Sequence, residues 1–240
     1  MAYFLKSIFK NFTKPKEQNV EEIKVYFISG MCNNCKMFDE IILPHGYVKE
    51  YIEWHIPTAN ETWEQYTSNM AKGIDASKPF ILIGYSLGGL IVQEMNNFIT
   101  PLKTIVISSM TNEMEIPPLF RMARSVNFTK RIPDRMLAAK EFIVNVFTRF
   151  IYTMPTERIS EYMVYTDPRY LKWAVYQITN WIPKLRCRNL YHIHGTKDQI
   201  FPYEQMDDDV YTVKGGDHLM VLDKADRVSE IIQAILLLAK

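Results

Sequence analysis

The stretch PFILIGYSLGG, Pro79 to Gly89, constrains the fold of this chain more than any other. Its first residues, Pro79–Ser86, are nearly all apolar, as expected for a strand covered on both faces, and such strands belong to parallel sheets packed between helices. The run breaks at Gly84-x-Ser86-x-Gly88 and passes at once into an apolar helical pattern, Leu87–Ile99. A strand that becomes a helix within so few residues makes a tight, crowded turn. Glycine at 84 and 88 relieves clashes, and Gly89 lets the helix approach the sheet. Ser86 then projects at the top of the sheet, near the positive end of the helix. The alternative reading is a serine N-cap with glycines kept for packing.

The rest of the chain repeats this rhythm. Strand-like runs are Ile23–Ser29, Tyr51–Pro57, Lys103–Ser109, Asn189–Gly195 and Asp209–Gly215. Helical patterns span Asn60 to about Lys72 and Ala225–Ala239, the latter with Val228, Ile231, Ile232, Ile235 and Leu238 on one face. Alternation of this kind predicts an α/β fold: a mostly parallel sheet of about six strands with helices on both faces. The rhythm fails between Pro117 and Pro183, a helical stretch rich in methionine and aromatics and too long for a simple crossover. We read residues 1–116 and 184–240 as the core and 117–183 as an α-helical cap insertion over the strand ends, where ligands of open α/β sheets bind. Within it Trp173 and Tyr176 suggest an apolar substrate pocket, although aromatics at helical spacing often serve packing alone.

Composition narrows the function classes. A chain of 240 residues can bury a sizeable core without disulfide staples. The formal charge of +1 argues against a general nucleic-acid binder, which usually carries a large basic excess. Three cysteines, Cys32, Cys35 and Cys187, do not make a secreted disulfide framework and point to a reducing, cytoplasmic setting. The N-terminus places Phe4, Leu5, Ile8, Phe9 and Phe12 at helical spacing between Lys6, Lys10 and Lys14. Such a basic amphipathic helix can lie on an anionic membrane; the alternative is a short helix packed on the domain, or a frayed end. No window is apolar enough for a transmembrane helix.

A serine hydroxyl is a poor nucleophile until a base takes its proton. Two later loops offer the partners: Asp198 just after the fifth strand and His218 just after the sixth. In a parallel sheet both loops leave by the edge that carries Ser86. The order Ser, Asp, His, each after a strand, resembles the α/β-hydrolase superfamily from about Ile23 to Lys240, with the cap matching its variable insertion. That resemblance implies a small serine hydrolase with Ser86 as nucleophile, His218 as base and Asp198 as its orienter. The resemblance implies action on a small-molecule acyl ester or thioester, with no metal and no organic cofactor. It also implies an oxyanion hole made by the backbone N–H groups of Leu87 and Met31. There are departures. Ser29-Gly30 stands where many relatives carry His-Gly, and with only about 22 residues before Ile23 the early antiparallel strands of such relatives are expected to be missing. Some relatives place the acid after the strand before the cap, which makes Glu113 or Glu115 a fallback.

The Cys32-x-x-Cys35 pair suggests a second chemistry, because a thioredoxin-like site also follows a strand. A dithiol oxidoreductase would leave Ser86, Asp198 and His218 without a purpose, and no second ligand pair follows at zinc spacing. The cysteines are expected to pack under or line the pocket; reversible oxidation that distorts this loop is a further option. A non-catalytic binding module on the same fold is the remaining alternative. His192 and His194, two apart on a strand, share a face and are read as packing or loop-support residues. Asp207, Asp208 and Asp209 are read as solvated, and Asp217 as a turn residue.

Overall fold

The computed structural model describes residues 22–127, 161–183 and 187–238. Six strands form one sheet: β1 Ile23–Ile28, β2 Tyr47–Tyr51, β3 Phe80–Tyr85, β4 Lys103–Ile107, β5 Leu190–Gly195 and β6 Tyr211–Val213. Their order is β2-β1-β3-β4-β5-β6 and every pairing is parallel. All residues of β3 and β4 are buried, which explains why their sequences show no alternation. Lys103 is among them. Its ammonium donates to the carbonyls of Ile235 and Leu238 at 2.8 and 2.9 Å, and so satisfies acceptors at the end of the last helix.

The second strand differs from its expected place. It ends at Tyr51, where the expectation had it begin. YVKEY is an edge strand, so it carries charge and little apolar signal. The apolar residues read as strand, Ile52 and Trp54, are buried for another reason: the chain there folds over the loop after β1.

Three helices pack against the sheet or each other in the core: α1 Trp63–Ala71, α2 Leu87–Met95 and, near the C-terminus, a long helix at Ala225–Leu237. Thr62 and Gln65 form a reciprocal capping box that starts α1. The β2–β3 and β3–β4 crossovers carry α1 and α2 and run one way across the sheet. The β1–β2 connection runs the other way, so the right-handed rule sends it to the opposite face. Between β4 and β5 lie α3 Pro118–Ser125 and α4 Pro168–Asn180. Arg124 ties them by donating to the carbonyls of Thr179 and Trp181. The C-terminal pair is α5 Met220–Asp223 and α6 Ala225–Leu237. The expected N-terminal amphipathic helix, from Phe4 to Lys14, and the middle of the expected cap, with Phe142, Phe147 and Phe150, lie outside the described residues. No described helix is long and apolar enough to cross a membrane.

Strand order reverses between β1 and β3, and the carboxyl ends on either side of that switch frame a crevice where ligands of such sheets bind. Ser86 follows β3 directly and Gly30 follows β1 after one residue.

Candidate active site

Ser86 sits in the turn between β3 and α2 with φ 53° and ψ −119°. A non-glycine residue held there costs about 1–3 kcal/mol and persists only if its surroundings fix it. They do. Its N–H donates to Ile107 O at 2.9 Å, and its carbonyl accepts from Gly89 N–H at 2.9 Å and from the Ser109 hydroxyl at 2.8 Å. The flanking glycines leave no room for a side chain. A Cβ on Gly84 would lie 2.7 Å from Gly89 N, and one on Gly88 would strike the carbonyls of Ile28 and Ser29. Ser86 holds the N-cap position of α2, but its side chain makes no capping hydrogen bond to the helix. Its hydroxyl is directed elsewhere.

That direction is His218. Nε2 of the imidazole lies 3.1 Å from Ser86 Oγ, and Nδ1 lies 2.9 Å from Asp198 Oδ2. All three residues are at least 94% buried, which strengthens each contact by excluding water. The other carboxylate oxygen, Oδ1, accepts the N–H groups of Ile200 and Phe201 at 2.9 and 3.0 Å. Burial pushes the Asp198 carboxyl up. The charge and hydrogen bond of His218, with His194 and the Phe201 N–H, outweigh it and hold Asp198 below its ordinary value. The imidazole is framed by the rings of Tyr85 and Phe201, and Tyr85 O–H donates to the His218 carbonyl at 2.8 Å. Asp217 stays a turn residue; its Oδ1 accepts from Leu219 N–H.

His192 and His194 stand behind the acid. The Phe201 carbonyl can only accept, so His194 Nε2 carries the proton of that 2.8 Å bond. Nδ1 is then the acceptor for His192 Nε2–H at 3.2 Å. Burial lowers both imidazoles, His192 to about 3, so the pair is neutral near pH 7. The fallback acids lie elsewhere. Glu113 is exposed and 3.9 Å from Arg124, while buried Glu115 accepts from Thr111 O–H and Asp207 N–H.

The loop after β1 lies against the serine turn. A Cβ on Gly30 would come within 3.2 Å of Ser86 Cβ and closer to the Tyr85 ring. Among the described residues, neither Met31 N–H nor Leu87 N–H has a protein acceptor. Trp54 Nε1–H donates to Ser29 Oγ and Gly30 O at 2.9 and 3.1 Å, and Ser29 O–H donates to Asn33 O at 2.5 Å. Cys32 and Cys35 are buried and free, and burial pushes both thiols up to about 12. A thiol that stays protonated is a poor redox nucleophile. Among the described residues, no group of three or more His, Cys, Asp or Glu is set to hold a metal ion.

Trp173 packs among Trp63, Tyr66 and Tyr170, with ring centroids 5.5, 4.0 and 6.2 Å away. Tyr170 in turn meets Trp54, the residue that holds Gly30. Tyr176 is 43% exposed and lines a cavity of about 400 Å³ with Trp63, Glu94 and Trp181. Trp54, Tyr170 and Phe201 shape the site without any signal in spacing, whereas Tyr85, the variable residue inside Gly84-x-Ser86, stands where a motif marks it.

A model of the alpha/beta hydrolase family matches residues 45–231. No curated protein sequence matches the chain. Solved structures do. A thermophilic esterase from Thermogutta terrifontis is 14% identical, with 89% of each chain covered and a TM-score of 0.63. A hydrolase from Pseudomonas aeruginosa PA01 is 12% identical, with 91% of each chain covered and a TM-score of 0.66. MenH from S. aureus is 16% identical over 91% of this chain and 95% of that one, with a TM-score of 0.64. At such identities the likeness is one of fold.

Proposed function

Because the chain belongs to the α/β hydrolase family, we propose that it is a serine hydrolase that cleaves a small-molecule ester or thioester through an acyl-serine intermediate. The observation that carries this reading is the continuous contact from Ser86 Oγ through the His218 imidazole to Asp198, at 3.1 and 2.9 Å. Ser86 Oγ attacks the carbonyl carbon while its proton passes to His218 Nε2. The oxyanion takes the N–H groups of Leu87 and Met31, each worth on the order of 3 kcal/mol in the transition state. Collapse breaks the C–O or C–S bond, and His218 returns the proton to the departing alcohol or thiol. Water then attacks the acyl carbon, His218 takes its proton, and Ser86 regains it as the acid leaves. Asp198 stays ionised and keeps the proton on Nδ1, so that Nε2 is free to accept.

Residues 117–183 are the cap in this reading, and Trp173 with its aromatic neighbours supports a chamber for a small or medium apolar acyl group. Tyr176 lies one turn further along α4, on the cavity of about 400 Å³ that it shares with Trp63, Glu94 and Trp181. Three free cysteines support a reducing, cytoplasmic setting.

A fluorophosphonate probe tests the function. One label per chain, lost in Ser86→Ala, is the expected result, with turnover of p-nitrophenyl esters or acyl-thioesters lost in parallel. An unlabelled, inactive wild-type protein would favour a binding module instead.

A further inference from the structure

The loop that carries Met31 is built partly from the segment between β4 and β5. Cys32, next to Met31, has φ 70°, a left-handed conformation that a residue with a Cβ adopts only under constraint. The constraint comes from across the sequence. The Cys32 carbonyl accepts two N–H groups, from Val164 at 2.9 Å and from Tyr165 at 3.0 Å. Asn34 N–H donates to Tyr162 O at 2.9 Å, and Asn33 and Met163 form an antiparallel bridge. On the other side of the same residue, Cys32 N–H faces the Tyr170 hydroxyl at 3.4 Å. Tyr165 O–H donates to Glu53 Oε2 at 3.0 Å, and Glu53 Oε1 accepts Cys35 N–H at 3.0 Å. Cys32, Asn33, Met163 and Tyr170 are all buried.

We propose that the stretch Tyr162–Tyr165 is a working part of the oxyanion hole. By clamping the strained Cys32 residue it aims the adjoining Met31 N–H at the reacting carbonyl, and Tyr165 and Tyr170 are positioning residues for that donor. The proposal rests on the acyl-transfer reading above. It gives the Met-Cys-Asn-Asn-Cys loop a purpose other than thiol chemistry: Cys32 matters for its backbone, not its sulfur.

Two variants test the clamp. Tyr165→Phe/Tyr170→Phe removes both hydroxyls and keeps the rings. Val164→Pro removes one N–H from the Cys32 carbonyl at a residue whose side chain is half-exposed. The readouts are kcat and KM on a p-nitrophenyl ester, and the affinity of a trifluoromethyl ketone, whose hemiketal oxyanion needs the hole. Full removal of an oxyanion donor costs about 10²–10³-fold in kcat, so a misaimed one is expected to cost roughly tenfold. Ketone affinity should fall by the same factor, with KM within about twofold of wild type. If Val164→Pro does not fold, the tyrosine variant decides alone. A tyrosine variant with wild-type kcat and ketone affinity, altered only in melting temperature, overturns the clamp and leaves the hydrolase reading standing. A wild-type protein that neither reacts nor hydrolyses overturns both.

Discussion

His194 donates its Nε2–H to the carbonyl of Phe201 at 2.8 Å and so closes the turn that carries Asp198. The same turn supplies the Ile200 and Phe201 N–H groups to the Asp198 carboxylate, and His194 Nε2 lies 3.7 Å from Asp198 Oδ2. A buried neutral histidine thus fixes where the acid points. His194→Phe leaves the Phe201 carbonyl buried and unpaired, which should cost about 1–3 kcal/mol of stability. It should also lower kcat with little change in KM, because the acid and not the substrate contact is disturbed. Urea unfolding and steady-state kinetics read the two effects. An unchanged kcat would show that Asp198 holds its place without the imidazole.

Asp198→Asn tests the acid itself. An amide cannot stabilise the imidazolium, and it offers a donor to Nδ1 where the carboxylate accepted. Loss of kcat on the order of 10³–10⁴-fold is expected, with the fold kept and KM little changed. Retained activity would transfer the role to another carboxylate, with Glu115 the first to examine by the same substitution.

Gly88→Ala should be severe although alanine favours helices. Its Cβ would meet the Ile28 and Ser29 carbonyls, which are backbone and cannot swing away. Overpacking of this kind costs typically about 1–3 kcal/mol, and it would also push the serine turn off β1. Chemical denaturation and the fluorophosphonate rate are expected to fall together.

Stability should decline on acidification in two windows. Burial lowers His192 from 6.5 to about 3 and lowers its neighbour His194 as well, so the unfolded chain binds both protons more readily. The contribution of His192 is complete above pH 6.5 and is lost as pH falls towards 3, at up to about 1.4 kcal/mol per pH unit, and that of His194 is lost on the same side of 6.5. Asp198 is also held below its ordinary 3.8, the usual carboxylate case, and its contribution fades only below that value. Unfolding free energies at pH 7 and pH 5 should therefore differ in the wild type and differ less in His192→Asn. Equal differences in both proteins would remove His192 as the cause.

The sheet and the three-residue contact were legible in the sequence because Ser86, Asp198 and His218 each come soon after a strand. Ser86, Asp198 and His218 needed only chain order and parallel strands to be brought to one edge. The second strand was misplaced because YVKEY, at the sheet edge, has little to bury, whereas Ile52 and Trp54 bury themselves without being a strand. The roles of Trp54, Tyr170 and the Tyr162–Tyr165 stretch were not legible at all. Their contacts join residues far apart in the chain, and no periodicity records which tyrosine will meet which loop. The Cys-x-x-Cys spacing did not mislead, since both cysteines were expected to pack under or line the pocket, and both are buried. It advertises reactive thiols, while the fold withdraws both from water and protonates them.

Lys103 brings a cation into the middle of the sheet, and its answer is the far end of α6. The ammonium also lies over the Tyr191 ring, 5.2 Å from its centroid, so the last helix supplies part of what holds it in the sheet, and β4 and α6 are expected to open together. Hydrogen exchange reads this directly: amides of β4 and of α6 are expected to share one protection free energy, and Lys103→Met to uncouple them.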